Sequence, residues 1–330
     1  MSLTPKTPIP EGAIRYNTDS NKMEVWIGDK WMIVSVSSPN LDGGARGVYG
    51  GGDPGSGHTD VIQYLTIPVQ GNTIDFGDLT QSRRGVAASG SSTRGLFMSG
   101  AGPVPRSDTI DFVTISSTGN ATDFGNLLSA QALESLSNST RAFAVGGDTP
   151  SIQNQMQFVT IASTGNMVDA GDLTSSTAEA CTFSSPTRGF VATLASPANT
   201  NIDFFNFSST GNAQNFGDLI AVASSGTGLS SVIRGIVAGG SPHLNTIQFI
   251  TMSSLGDAAN FGDLTAGRSM LGGTSDCVRG VMIGGYISPG ANTNAIDYIN
   301  ITTTGDAVDF GDQVTTSRNA DATSNAHGGL

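Results

Sequence analysis

The side chains of this chain that could do chemistry are few, and most of them recur at a fixed period. Three histidines are present, His58, His243 and His327, at separations that match no metal-ligand spacing. Asp-Phe-Gly occurs at 75–77, 123–125 and 309–311, but without the companion motifs that give this triplet a phosphoryl-transfer role. Glycines 50–52 read as a strand end, since no phosphate-binding lysine follows them. No Ser/His/Asp set sits in a recognisable motif. A glycosidase-type carboxylate pair would have to come from Asp53, Asp60, Asp108 and Asp148. The expectation is therefore a protein with no catalytic residue, no metal and no cofactor. Cys181 and Cys277 stand about two repeats apart. Disulfide and free-thiol readings are both open, with free, strand-buried thiols favoured.

Arginine and aspartate carry the strongest pattern. Arg46, Arg94, Arg141, Arg188, Arg234 and Arg279 share one phase of an internal repeat. Asp78, Asp172, Asp218, Asp263 and Asp312, with Asn126 in the remaining copy, share another. An identical role in every copy points to architecture: each arginine held by a neighbouring carboxylate and by backbone carbonyls.

The repeat that positions these residues is explicit. Phe76-Gly-Asp-Leu79 recurs with variation at 124–127, 170–173, 216–219, 261–264 and 310–313, at spacings of 48, 46, 46, 45 and 49 residues. Each copy opens with the arginine and an apolar run, which ends in Gly-Gly in four of the six, as in Arg234-Gly-Ile-Val-Ala-Gly-Gly240. An Ile-Asp-Phe type triplet follows, such as Ile62-Gln63-Tyr64 or Ile110-Asp111-Phe112, then a turn such as Thr118-Gly119-Asn120. Gly-Asn and Gly-Asp between short β-rich runs predict tight hairpins. No segment keeps a 3.6-residue apolar period with caps, so helix is not expected. Four short strands per unit, six units over 42–330, predict an all-β fold of β-propeller type, with a β-solenoid as the lesser alternative. The repeat starts at its second strand, at Arg46, so its missing first strand is expected near Ser317 to Asn325.

Residues 1–41 stand apart. Ala13 to Thr18, Met23 to Ile27 and Trp31 to Val36 predict a three-strand meander with turns at 19–22 and 28–30. It holds both tryptophans, Trp26 and Trp31. These and Tyr16 are the candidate attachment residues.

The net charge is −12, and all three lysines, Lys6, Lys22 and Lys30, precede the array. A lysine-free acidic surface argues against nucleic acid and anionic membranes. No apolar run reaches membrane-spanning length, and Met1-Ser-Leu-Thr-Pro5 has no leader character, so neither membrane insertion nor secretory targeting is expected. The Asn-X-Ser/Thr sequons at Asn120, Asn138, Asn206 and Asn300 are accordingly expected to stay unmodified.

The order of apolar run, Gly-Gly, variable loop, Ile-x-Tyr/Phe, turn and aromatic-x-x-Leu resembles the kelch motif over 42–330. Phe of Phe-Gly-Asp-Leu stands where kelch repeats carry Trp, and Ala170 departs even from that. The Thr-Gly-Asn and Phe-Gly-Asp-Leu phrases, with Thr-Arg-Gly before the Gly-Gly runs, resemble kelch-like virion proteins of tailed phages, cyanophages in particular. Pro10-Glu-Gly-Ala-Ile-Arg-Tyr-Asn-Thr18 and Glu24-Val-Trp-Ile-Gly-Asp-Lys-Trp31 are similar to a short module of phage tail-fibre proteins. The resemblance implies a six-bladed kelch-like β-propeller with a small N-terminal meander. It implies a non-enzymatic virion structural protein: a tail-fibre, baseplate or capsid-surface subunit bound to other virion proteins through residues 1–41, either as a homo-oligomer or singly. Its propeller would serve host attachment through a surface glycan, or act only as a capsid-decoration or architectural subunit.

The variable loops are where such a ligand would bind. From Gly-Gly or its equivalent to the Ile triplet the distance runs 10, 10, 9, 8, 7 and 11 residues, and each loop contains proline. Loops on rigid sheets carry function, and proline lowers the ordering cost of binding. The candidate ligand-binding residues are His58, Asp60, Arg106, His243, Tyr286 and Asn292.

Overall fold

The computed structural model describes residues 9–18, 22–33, 45–55, 57–102, 105–131, 133–194 and 198–330. The chain divides into two compact units, Met1–Asp42 and Gly43–Leu330. The described residues contain strands and no helix.

In the first unit Ile14–Asn17, Lys22–Ile27 and Lys30–Ile33 form one antiparallel sheet in that order. Its register pairs Tyr16 with Met23, Val25 with Met32, and Trp26 with Trp31. The predicted turn at 19–22 and the tail of the third predicted strand, 34–36, fall largely outside the described residues.

Among the described residues the second unit contains six four-stranded antiparallel sheets. Sheet 1 is Asp321–Ser324, Arg46–Gly50, Thr59–Thr66 and Ile74–Arg83. Sheet 2 is Ala87–Gly90, Arg94–Met98, Thr109–Thr114 and Thr122–Asn126. Sheet 3 is Glu134–Ser137, Arg141–Val145, Gln153–Thr160 and Val168–Thr177. Sheet 4 is Cys181–Ser184, Arg188–Ala192, Asn201–Asn206 and Gln214–Asp218. Sheet 5 is Thr227–Ser230, Arg234–Ala238, Thr246–Thr251 and Ala259–Asp263. Sheet 6 is Gly272–Ser275, Arg279–Ile283, Ala295–Asn300 and Val308–Asp312. Sheet 1 thus takes its first strand from residues 321–324, with Ala322 opposite Tyr49.

The apolar core lies between sheets, because each strand of two-residue period shows one face to each neighbour. One cluster joins Leu96 and Phe124 of sheet 2 to Ala142 and Val159 of sheet 3. Another joins Ile283 and Phe310 of sheet 6 to Tyr49 and Leu65 of sheet 1. In five sheets the Phe of Phe-Gly-Asp-Leu meets the triplet aromatic edge to face, as Tyr64–Phe76 does at 6.0 Å. Ala170 breaks that pattern in sheet 3. There Phe158 stacks on Phe143 at 5.5 Å, and Phe143 in turn meets Phe205 at 4.7 Å.

The two most repeated phrases clasp neighbouring sheets. Gly119 N–H donates to Phe76 O, Ala121 N–H to Asp78 O, and Asp78 N–H to Asn120 Oδ1 at 3.1 Å. The same set returns from sheet 6 to sheet 1, where Asp312 N–H donates to Asn72 Oδ1 at 3.0 Å. Gly77, at φ +148°, must be glycine, because a Cβ there would lie 2.5 Å from the Gly119 carbonyl. The Thr-Gly-Asn segments are therefore clasps, not the tight hairpins expected from their residue types.

The repeated arginines also join sheets. Arg94 lies over the Phe112 ring at 4.8 Å, and its Nη1 donates to Ile161 O of the next sheet at 2.9 Å. The other five make the same pair of contacts, ending with Arg279 to Ile67 O at 3.0 Å. The expected carboxylate partner is not there. Asp78, Asp172, Asp218, Asp263 and Asp312 take part through backbone N–H and C=O, leaving their side chains half-buried or exposed. A guanidinium half-buried over an aromatic ring is already stabilised by the ring face and two strands, and needs no anion.

The first strands of the six sheets pack side by side: 87–90 against 134–137 and 321–324, 134–137 against 181–184, 181–184 against 227–230, and 272–275 against both 227–230 and 321–324. At their far ends Ser137, Ser184, Ser230, Ser275 and Ser324 each donate a hydroxyl to the carbonyl of the equivalent residue one sheet earlier, at 2.6 to 2.8 Å. The sixth place is Gly90. It has no hydroxyl to give, and its carbonyl accepts from His327 Nε2 at 2.9 Å as well as from Ser137.

Candidate functional site

Two groups of polar residues converge where the variable loops leave the second strands. Asp53, just past Gly-Gly of sheet 1, is only 3% exposed. Its Oδ2 accepts from Arg318 Nη2 at 2.9 Å and faces Arg84 Nη1 at 3.6 Å, while its Oδ1 accepts from the N–H groups of Gly55 and Gly57. Burial alone would raise this carboxyl, but the Gly55 N–H, Arg318 and the Gly57 N–H outweigh it and hold it below its ordinary value. The Arg318 guanidinium also lies 4.5 Å from the centre of the Tyr286 ring. Tyr286 meets the His243 ring at 5.6 Å, and Asn292 Nδ2 donates to Asp53 O at 2.8 Å.

A small three-stranded sheet positions this cluster. Arg268–Ser269 pairs with Tyr286–Ile287, which pairs with Ala291–Asn292. The loop of sheet 6 is the longest, and it forms a hairpin of its own that carries Tyr286 and Asn292. The second group is Arg106 and Asp148, from the loops of sheets 2 and 3, joined by bidentate hydrogen bonds including Arg106 Nε to Asp148 Oδ2 at 2.8 Å.

The structure therefore brings Tyr286, His243 and Asn292 together and pairs Arg106 with a loop neighbour. His58 is exposed and Asp60 half-buried, and neither side chain has a hydrogen bond or ion pair among the described residues. Of the loop carboxylates considered for glycosidase chemistry, Asp53 and Asp148 are each bound to arginine. Residues 56, 103, 104 and 195–197 of these loops lie outside the described residues. Cys181 is buried, Cys277 half-buried, and both are free thiols.

Below the loops, the first strands of all six sheets line a cavity of about 630 Å³. Arg84, Arg106, Arg318 and Glu179 stand among its lining, with Glu134 and Asp321 at the head of their strands. Glu179 Oε2 accepts from the hydroxyls of Ser224 and Ser225. Asp321 accepts from Ala88 N–H and Ala322 N–H, both at 2.8 Å, yet burial pushes its pKa up to about 7. Burial, with the Asp321 and Glu179 charges, pushes Glu134 well above the ordinary carboxylate range. Glu134, Glu179, Arg318 and Asp321 lie in no motif of the sequence. One signal was present: Glu134 and Glu179 are the only glutamates of 42–330, and both fall just before or at a first strand.

In the first unit the two tryptophans named as attachment residues are half-buried. They meet edge to face at 5.3 Å, and Arg15 lies 4.2 Å from the Trp31 ring centre. Asn17 Nδ2 and Arg15 Nε donate to Glu24 and hold its carboxyl below the usual range. The opposite face carries Ile14, Tyr16, Met23, Ile27 and Met32, all exposed. Among the described residues no group of His, Cys, Asp and Glu could hold a metal ion, and no helix is long and apolar enough to cross a membrane. Compared with known proteins, the chain matches no family model and no curated protein.

Proposed function

We propose that residues 43–330 form a six-bladed kelch-like β-propeller, that the protein is a non-enzymatic structural protein of a tailed-phage virion, and that its loop face recognises a host-surface glycan. The ring reading draws on the contacts that return from sheet 6 to sheet 1: Arg279 to Ile67, Asp312 to Asn72 and Val314 N–H to Gln63 Oε1 at 3.0 Å. Sheet 1, with its first strand from 321–324, draws on both ends of the array.

The observation that carries recognition is the Asp53–Arg318–Tyr286–His243 series with Asn292 beside it. A half-buried aromatic ring flanked by fixed hydrogen-bonding groups is the combination that sugars require, and here the half-buried Asp53–Arg318 ion pair holds it in place before any ligand arrives. The virion assignment draws on the resemblance of the repeat and of residues 10–31 to phage structural proteins. Attachment to other virion proteins through the first unit draws also on its exposed apolar face, since a sheet face of this kind is usually covered. A purely architectural subunit would use that face and leave the loops unliganded.

The test is adsorption and glycan-array retention of the full chain beside a Tyr286→Ala/Asn292→Ala variant of equal melting temperature. Loss of retention supports recognition. Undiminished adsorption and retention refute it in favour of the architectural subunit.

A further inference from the structure

We infer that residues 325–330 are an acid-released plug: seated, they close one end of the cavity lined by the first strands, and a second proton on His327 frees them. This does not rest on the glycan reading, since the variable loops stand at the other end of those strands. Each first strand begins beside the end of a second strand, as Asp321 opposite Gly50, and finishes at the row of Gly90, Ser137, Ser184, Ser230, Ser275 and Ser324.

The segment that follows Ser324 reaches all six sheets. Arg46 N–H of sheet 1 donates to Asn325 Oδ1 at 2.9 Å, and Asn325 N–H donates back to Arg46 O at 3.3 Å. Cys277 Sγ, in the turn after the first strand of sheet 6, donates to Ala326 O at 3.3 Å. His327 lines the cavity. Its Nε2 donates to Gly90 O of sheet 2 at 2.9 Å and lies 3.3 Å from Ser137 Oγ of sheet 3. Gly328 and Gly329 are buried. A Cβ on Gly328 would strike Ser231 O, just past the first strand of sheet 5, and one on Gly329 would strike Ser137 O and Ser184 Oγ of sheets 3 and 4. Glycine at both places lets the backbone lie flat on the strand ends.

The hydrogen bonds make this seat depend on a proton. Gly90 O accepts and Gly329 N–H donates, so His327 is held as the neutral tautomer protonated on Nε2, with Nδ1 accepting from Gly329 N–H at 3.2 Å. A second proton, on Nδ1, would set donor against donor and bury an imidazolium without a counter-ion. Burial lowers the His327 pKa to about 4, against the Gly90 carbonyl, which raises it. The seat is therefore at full strength above the ordinary value of 6.5 and weakens as pH falls toward about 4, by up to roughly 300-fold in the seating equilibrium.

The titratable and charged groups on the elements around His327 are Glu134 and Asp321 at the heads of their strands, Asp276 and Cys277 in the turn of sheet 6, and the arginines that open the second strands. Asp276 Oδ1 accepts from the N–H groups of Val278 and Arg279, and the arginines turn to rings and carbonyls of their own and the next sheet. None makes an ion pair with His327 among the described residues.

The experiment is hydrogen–deuterium exchange of the full chain at pH 6.5, 5 and 4, with rates corrected for the intrinsic effect of pH. Peptides covering 325–330 should lose at least tenfold in protection between pH 6.5 and 4, while Arg141–Val145, an inner strand of sheet 3, stays protected. His327→Gln keeps an N–H donor and takes up no proton, so its protection of 325–330 should change by less than twofold. No loss in the parent, the same loss in H327Q, or equal loss at 141–145 each overturns the proposal. Should H327Q not fold, NMR of the parent decides. A shift of the Gly329 amide with the same pH midpoint as the His327 ring supports the plug, and midpoints more than one pH unit apart refute it.

Discussion

Thr80 Oγ1 donates to Asp111 Oδ1 at 2.6 Å, and Thr80 N–H donates to Asp111 Oδ2 at 3.1 Å, joining the residue after Phe-Gly-Asp-Leu of sheet 1 to the triplet of sheet 2. The same pair recurs as Thr174–Asp203 and Thr265–Asp297. In the alternate sheets the triplet carries Gln157, Gln248 or Gln63. The matching position is then apolar, Leu128, Ile220 or Val314, and a backbone N–H of Leu128, Ala221 or Val314 donates to the glutamine at 2.8 to 3.0 Å. An aspartate acceptor is matched by the hydroxyl and amide of that threonine, a glutamine acceptor by a backbone amide there, and Gln63 alone of the three glutamines also accepts from a hydroxyl, that of Thr73 at 2.6 Å.

Two of the three aspartates have a further partner. Arg83 Nη2 reaches Asp111 at 2.6 Å and Arg268 Nη2 reaches Asp297 at 2.9 Å, with all four side chains essentially unexposed. Removing one member of such a pair strands a buried charge. Arg83→Met should therefore lower the unfolding free energy by about 3–5 kcal/mol, and Asp111→Asn added to it should recover much of the loss. Urea denaturation of the single and double variants measures both, and equal instability of the two would contradict the account.

Asp203, which has Thr177 where the other two have arginine, shows what the unpaired case does: burial raises its pKa, against the Thr174 hydrogen bonds that lower it. Stability from such a carboxyl is greatest when it is protonated and falls as pH rises past its unfolded value. Asp203→Asn should then flatten the fall in melting temperature at higher pH. A slope identical to the parent's would show that Asp203 is ionised without penalty.

Asp321 and His327 should oppose each other. Asp321 is pushed up to about 7, from an unfolded value of about 3.9, so the folded chain binds more protons and stability falls as pH rises from about 4 to about 7. His327 is pushed down to about 4 by burial, from about 6.5, so stability falls as pH drops through that window. Against the parent, Asp321→Asn should tilt the curve of melting temperature on pH upward toward neutrality, and His327→Gln should tilt it downward. Tilts of the same sign in both variants would refute the assignment.

The period, the strand content, and the closing strand between Ser317 and Asn325 were legible in the sequence because identical units must repeat identical contacts. The alternation of Gln63, Asp111, Gln157, Asp203, Gln248 and Asp297 was equally visible, but its meaning was not: the partner lies in another sheet, some 30 residues or more away. The arginine phase was expected to meet a carboxylate and backbone carbonyls; the carbonyls are there, and a ring face stands in place of the carboxylate, because a ring face leaves no residue-type signature as a carboxylate would. Cavity residues such as Glu134 and Asp321 were missed because only the fold sets inner strands side by side.

The clasp gives a sharper test of how neighbouring sheets are held. Gly262 has φ +156°, and a Cβ there would press on the Gly305 backbone. Backbone cannot rotate away as a side chain can, so Gly262→Ala should cost at least the 1–3 kcal/mol of a strained residue. Gly305→Ala, also at positive φ but with nothing within 4 Å, should cost less than Gly262→Ala. Thermal denaturation ranks them, and the reverse order would mean the clasp tolerates separation.

Attachment, finally, should depend on the apolar face of the first unit and not on its tryptophans. Trp26 and Trp31 pack on each other and on Arg15, so replacing them should damage the sheet itself. Ile14, Tyr16, Met23, Ile27 and Met32 are between 44% and 65% exposed and share the other face. Ile14→Asp combined with Ile27→Lys should leave the melting of Gly43–Leu330 unchanged, because among the described residues no core cluster of that unit includes either residue. If this face docks on another virion protein, burying charge there should weaken association by several kcal/mol, and the variant should be missing from purified particles. Incorporation at the parent's level would remove the first unit from the attachment role.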